Sequence, residues 1–212
     1  MIGYLASNQN KFEGSTKVLL KFEGDRTHSG PSAPAITNFS ASPAPTETTI
    51  INPMLKGTYC TSALGSSSSY TCNLITGLLS NQSDYSIDLM FYTSTFADTN
   101  KFIYSWVRPG YAECYFYVKT DGSLAIGYNG GNLVSAAGVI AINTWYHIMF
   151  KSVSTVGQFW VNGVMVKQGS PVDFCCSAAG GTIGQYRLGG GGVCNIKNFR
   201  VCIPAMKNPR PI

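Results

Sequence analysis

The chain has 212 residues, with 15 Lys and Arg against 10 Asp and Glu and a formal net charge of +5. Charged residues make up 12% and hydrophobic residues 44%, so the charged share is about half of the roughly 25% usual in soluble domains and solubility rests on Ser, Thr, Asn and Gly. The basic residues are scattered, densest at Lys197, Arg200, Lys207 and Arg210, which argues against a nucleic-acid-binding stripe, and no apolar run approaches the ~20 residues that span a bilayer.

Residues 1–15 read as an N-terminal arm. They lack a charged start followed by an apolar core, so they do not read as a signal peptide. Thr16–Phe22 is β-type and is turned by Glu23-Gly24-Asp25. A Pro/Ser-rich loop over 29–56 follows, because Pro31, Pro34, Pro43 and Pro45 argue against central strands; an edge strand fits at Ala35–Phe39. Gly65–Ser69 is a turn and Leu74–Leu79 a short apolar run. In Tyr85–Tyr92 the residues alternate, with Ile87, Leu89 and Phe91 on one face and Ser86, Asp88, Met90 and Tyr92 on the other; Asp88 is the lone acid of that strand.

Lys101–Val107 and Glu113–Lys119 are strands around a Pro109-Gly110 turn. Asp121-Gly122 turns the chain into Leu124–Tyr128, and Asn129–Asn132 turns it again. Val139–Asn143 leads to the most informative stretch, Asn143–Val166. There Trp145–Phe150 and Gln158–Val161 flank a polar break at Ser152–Gly157. Asn162-Gly163 then supplies the two positive-φ residues of a type I′ hairpin, and Val164–Val166 starts the next strand. Ile183–Leu188 lies within the glycine-dense Gly180–Gly192, and Cys194–Ile203 is a last strand stopped by Pro204. About a dozen short strands without helical periodicity predict an all-β antiparallel two-sheet sandwich or a barrel.

Seven cysteines leave at least one thiol unpaired. Cys60 and Cys72 could close a loop. Cys194 and Cys202 stand on neighbouring strands or at the two ends of one strand. Vicinal Cys175-Cys176 fits disulfide geometry poorly. Most read as small buried apolar residues, with one or two disulfides as the alternative. With no C-x-x-C pair and two His, a zinc site is not expected, and no other metal or cofactor is expected either.

Four segments in order resemble the laminin G-like jelly-roll branch of the concanavalin A-like lectin/glucanase superfamily. They are Lys17–Gly24, Tyr85–Tyr92, the Trp-x-His plus aromatic-Val-Asn-Gly stretch of 143–166, and Tyr186–Val201. The resemblance implies a β-sandwich over 16–203, with a C-terminal tail at 204–212. Inner faces would carry Leu19, Ile87, Leu89, Phe91, Phe159, Val161, Ile196 and Val201 or their alternating neighbours. His147 would be a packing or hydrogen-bonding residue. Thr27–Gly30 and Lys197-Asn198 stand where family members often carry acids, which removes oxygen ligands that calcium needs.

Glycoside hydrolysis needs paired carboxylates, and the Glu-x-Asp-x-x-Glu strand of the related glucanases is missing, so no catalysis is expected. Gly189–Gly192 lacks the Lys-Ser/Thr of a phosphate loop. Sugars stack on aromatic rings while amides take their hydroxyls. Tyr104, Trp106, Arg108 and Tyr111 around one turn, and Tyr128, Asn129 and Asn132 around another, are the candidate glycan contacts. These features, with the resemblance, suggest a structural surface component of a phage or viral particle, such as a capsid decoration or tail-fibre protein. Such a protein would be assembled in the host cytoplasm beside other virion proteins and copies of itself, with host glycans as a possible ligand. The alternative is a soluble or secreted lectin. Nucleic acid and membrane insertion are not expected.

Overall fold

A computed structural model describes residues 16–20, 39–41, 47–48, 60–61, 70–72, 84–96, 101–107, 114–128, 133–154, 156–169, 185–188 and 194–206. They form strands joined by turns, with no helix among them. One antiparallel sheet has six strands in the order β1 (Thr16–Leu20), β15 (Asn195–Cys202), β6 (Tyr85–Tyr92), β11 (Tyr146–Val153), β12 (Val156–Val161) and β13 (Val164–Gly169). The second has seven, ordered β10 (Leu133–Val134), β9 (Leu124–Tyr128), β8 (Cys114–Val118), β7 (Lys101–Val107), β14 (Gln185–Leu188), β5 (Tyr70–Cys72) and β2 (Phe39–Ala41). Two short strands, β3 (Glu47–Thr48) and β4 (Cys60–Thr61), pair with each other, and β4 lies against β15.

Alternation along the strands builds the core between the sheets. Ile87, Leu89 and Phe91 of β6 join Ile148 and Phe150 of β11, Phe159 and Val161 of β12, and Ile196, Phe199 and Val201 of β15. The seven-stranded sheet contributes Ile103, Phe116, Val118, Leu124, Ile126 and Leu133. At the centre, Phe116 stacks on Phe159 with centroids 5.8 Å apart, and Phe150 meets Phe159 edge-on at 5.7 Å. Burying each such ring contributes about 1.5–3 kcal/mol relative to leaving it in water. Leu19 is buried as expected, and the register sets it opposite Arg200.

The Asn162-Gly163 hairpin forms as the sequence predicts, with φ of 49° and 81°. Around the preceding turn the strands run longer than expected: β11 continues to Val153 and β12 begins at Val156. Ser154, at φ 48°, makes the reversal, so the expected break at Ser152–Gly157 shrinks because backbone pairing outweighs weak local β propensity. The edge strand expected at Ala35–Phe39 is described only from Phe39 to Ala41. Strand β10 was not anticipated from sequence. At the Asp121-Gly122 turn, Gly122 has φ 73° and a Cβ there would collide with the Ile140 carbonyl, so only glycine fits. Cys194 and Cys202 are buried at the two ends of β15, and the length of the strand keeps them from bonding to each other. Leu74–Leu79, the arm at 1–15 and most of the 29–56 loop lie outside the described residues.

Both faces of the six-stranded sheet are buried at its centre. On the side away from the main core, Ser86, Asp88, Met90, His147, Met149, Lys197 and Cys202 are each 2% exposed or less. Part of the cover is the segment Ile203–Met206. Its Ala205 N–H donates to Asp84 Oδ1 at 2.9 Å, its Met206 N–H donates to Ser86 Oγ at 3.3 Å, and Met206 packs on Met149 and Cys202.

Candidate functional site

The only acid of β6 is not alone. Asp88, fully buried, accepts from Arg200 Nε–H on Oδ2 at 3.0 Å and from Arg200 Nη2–H on Oδ1 at 3.1 Å. His147 Nε2 shares Oδ1 at 3.2 Å. A carboxylate can only accept, so Nε2 carries the hydrogen. His147 Nδ1 is buried without a hydrogen-bond partner. The planar guanidinium fork matches the carboxylate, which makes this a strong pair geometrically. It fastens β15 and β11 to the central strand β6. The cluster is buried.

A bulge makes this pairing possible. The β15–β6 register runs Asn195 to Tyr92, Ile196 to Phe91 and Lys197 to Met90, then shifts so that Arg200 faces Asp88. Asn198 within the shift has φ 51°. Without the extra residue, strict alternation would put Phe199 opposite Asp88 and turn Arg200 toward the hydrophobic core. With it, Phe199 enters the core and Arg200 meets its acid. Asn tolerates the left-handed conformation better than most residues.

Beside the cluster, Trp145 packs on Met90 and Tyr92, its ring 5.5 Å from that of Tyr92. Tyr92 Oη donates to Asn143 Oδ1 at 3.2 Å, and Asn143 N–H donates to Thr93 O at 2.7 Å with φ 58°. Ile142 just before β11, and Val164 and Met165 at the start of β13, lie at this end of the sheet. They are the exposed large hydrophobics among the described residues.

Of the candidate glycan contacts, Arg108, Tyr111, Asn129 and Asn132 lie outside the described residues, and Tyr104, Trp106 and Tyr128 are described by backbone position. The register relates the three described ones. Trp106 is opposite Cys114, which is opposite Tyr128, so the three occupy one cross-strand row. Tyr104 occupies the row of Phe116 and Ile126. Strands β7 and β9 flank β8, and each ends within a residue of that row. On the same sheet, Tyr115 meets Tyr117 edge-on at 6.3 Å, and burial pushes the Tyr117 hydroxyl up from its ordinary value.

The acids with described side chains are all engaged. Asp84 holds the Ala205 backbone and Asp88 holds Arg200 and His147. Asp121 accepts from Ser123 Oγ–H at 2.6 Å and Ser123 N–H at 3.0 Å, which holds its carboxyl below the ordinary range. No cluster of three or more His, Cys, Asp or Glu suited to a metal occurs among the described residues. No helix among them is long and apolar enough to cross a membrane.

Comparison with curated proteins finds no match. Solved structures do match. Domain 4 of AbnA, an extracellular arabinanase from Geobacillus stearothermophilus solved with arabinotriose, is similar over 89% of this chain and 92% of its own, at 15% identity and a TM-score of 0.58. A botulinum neurotoxin type C structure, described as depending on two ganglioside molecules for cell entry, is similar over 89% of this chain at 12% identity and a TM-score of 0.59. Trypanosoma rangeli sialidase with the inhibitor DANA is similar over 70% at 9% identity and a TM-score of 0.52. The chain spans about a quarter of the sialidase (26%) and about half of the neurotoxin chain (47%). At these identities the likeness is one of fold. The sequence model of the Laminin_G_3 family matches residues 64–191, more than half of the chain, which therefore belongs to the concanavalin A-like lectin/glucanases superfamily.

Proposed function

We propose that this protein is a non-catalytic glycan-binding module, formed by residues 16–203 with an arm at 1–15 and a tail at 204–212. The observation that carries the reading is the shared row of Trp106 and Tyr128. In the backbone register these two residues lie in one row across β7, β8 and β9, near the ends of β7 and β9. Tyr104, Trp106, Tyr111 and Tyr128 supply rings for the apolar faces of a sugar, and Arg108, Asn129 and Asn132 take its hydroxyls. The arabinotriose and ganglioside named for two proteins of similar fold support a saccharide ligand. A glycan array followed by calorimetry tests it: wild-type protein binds a defined oligosaccharide, and Trp106→Ala removes that binding while the far-ultraviolet spectrum is unchanged.

A second reading is a structural role on a phage or viral particle, as a capsid decoration or tail-fibre component, packed against virion proteins and its own copies. The low charge of 12% and the grouping of exposed Ile142, Val164 and Met165 at one end favour it, since such a surface suits burial in an assembly. Sedimentation separates the two readings. An obligate oligomer with no glycan hits supports the structural role, and a glycan-binding monomer supports an extracellular lectin.

A further inference from the structure

We propose that Asn162 is a spontaneous deamidation site that the β12–β13 hairpin holds in check, so that its conversion records the local opening of this hairpin. The chemistry needs only water. The Gly163 backbone nitrogen attacks Asn162 Cγ; the N–Cγ bond forms, the Cγ–Nδ2 bond breaks, and ammonia leaves with the proton lost from Gly163. Water then opens the cyclic imide. Cleavage at the Cγ side leaves an ordinary aspartate in place of Asn162. Cleavage at the α-carbonyl side gives isoaspartate, whose main chain is longer by one methylene. Gly163 has no side chain to hinder the attack, and Asn162 is exposed to solvent.

The native geometry opposes ring closure. Asn162 Oδ1 accepts from His147 N–H at 2.9 Å, and Asn162 N–H donates to His147 O at 2.8 Å. The side-chain amide and its own backbone are thus both tied to β11, with φ at 49°. To bring Cγ onto the Gly163 nitrogen, the side chain must leave His147. In the proposal, this release accompanies opening of the hairpin.

The two products differ in consequence. The aspartate product keeps an oxygen that still accepts from His147 N–H. Isoaspartate inserts an atom into a two-residue turn whose strands pair immediately, Val161 with Val164, so β13 cannot regain its register.

The test compares three samples at neutral pH: the folded protein, the chain unfolded in urea, and a synthetic peptide of residues 152–167. The same fragment is released from the protein by trypsin at Lys151 and Lys167. Mass spectrometry reads the gain of about one dalton as amide becomes acid, and chromatography separates the isoaspartyl form. The folded protein should convert at least about tenfold more slowly than the other two, equivalent to ~1.4 kcal/mol or more of local opening. Urea below the global transition should accelerate it. Conversion of the folded protein at the peptide's rate would overturn the protective role of the hairpin. Persistence of Asn162 in the unfolded chain would overturn the site itself.

Discussion

Replacing Asp88 by Ala is the sharpest perturbation of this fold. It deletes the acceptor of both Arg200 bonds and of the His147 bond. The Arg200 side chain is 10% exposed, so its charge would stay largely buried after losing the two bonds to this carboxylate. Breaking one side of a buried ion pair costs about 3–5 kcal/mol. Against the roughly 5–15 kcal/mol that keeps a typical domain folded, that is about a fifth of the total or more. In a chain of this size it lowers Tm by about 6–20 °C, at ~2–4 °C per kcal/mol. His147→Leu should cost far less, about 1 kcal/mol or below. Asp88 keeps its Arg200 fork, and the buried Nδ1 that lacks a partner disappears with the ring. The double variant Asp88→Leu/Arg200→Met should recover most of the loss, since an apolar pair of similar volume avoids the desolvation cost. Urea titrations followed by circular dichroism give all three values. The reasoning fails if Asp88→Ala costs under ~1 kcal/mol, or if His147→Leu proves the more damaging change.

At the bulge, Asn198→Val should cost about 1–3 kcal/mol, because a β-branched residue resists a φ of 51°; Asn198→Gly should be close to neutral, and the same titrations read both. Gly122→Ala meets both the Ile140 carbonyl and a φ of 73° and should lower stability by ~1–3 kcal/mol. Edge strand β13 carries a register shift opposite β12 and an exposed Lys167, two devices that discourage pairing with another sheet; Lys167→Val should raise light scattering in concentrated solution without loss of fold. Two pH effects have opposite signs. The lowered Asp121 contributes stability above its ordinary value of 3.8 and loses it as pH falls through its folded value, a small effect on a half-exposed group that Asp121→Asn should remove from acid titrations. The raised Tyr117 contributes fully below its ordinary value of 10.0 and loses that contribution as pH rises through its folded value; Tyr117→Phe should flatten the alkaline limb of a stability profile.

Periodicity made the architecture legible because it reports burial directly. Ile87, Leu89 and Phe91 alternate in the sequence and face one core, and Asn162-Gly163 announces its own turn through the φ values it demands. The ionic cluster was harder to see. Asp88 and Arg200 are 112 residues apart, and their meeting depends on a single inserted residue that shifts the register of β15. The trace of that insertion was present: in Ile196–Val201 apolar residues stand at 196, 199 and 201, breaking strict alternation at Lys197-Asn198. The polar Ser86 and Asp88 of the other β6 face gave no sign of the cover that segments distant in sequence supply, among them Ile203–Met206.

The central claim is that an aromatic end of the seven-stranded sheet holds a saccharide without cleaving it. Calorimetric titration of an array-selected oligosaccharide into wild-type protein and into a Trp106→Ala/Tyr128→Ala variant, with the sugar recovered and weighed by mass spectrometry, tests it most directly. The account predicts saturable binding by the wild type, loss of about 1–3 kcal/mol per ring in the variant, and an oligosaccharide of unchanged mass. Equal binding by the two proteins, or a shortened sugar, would contradict it.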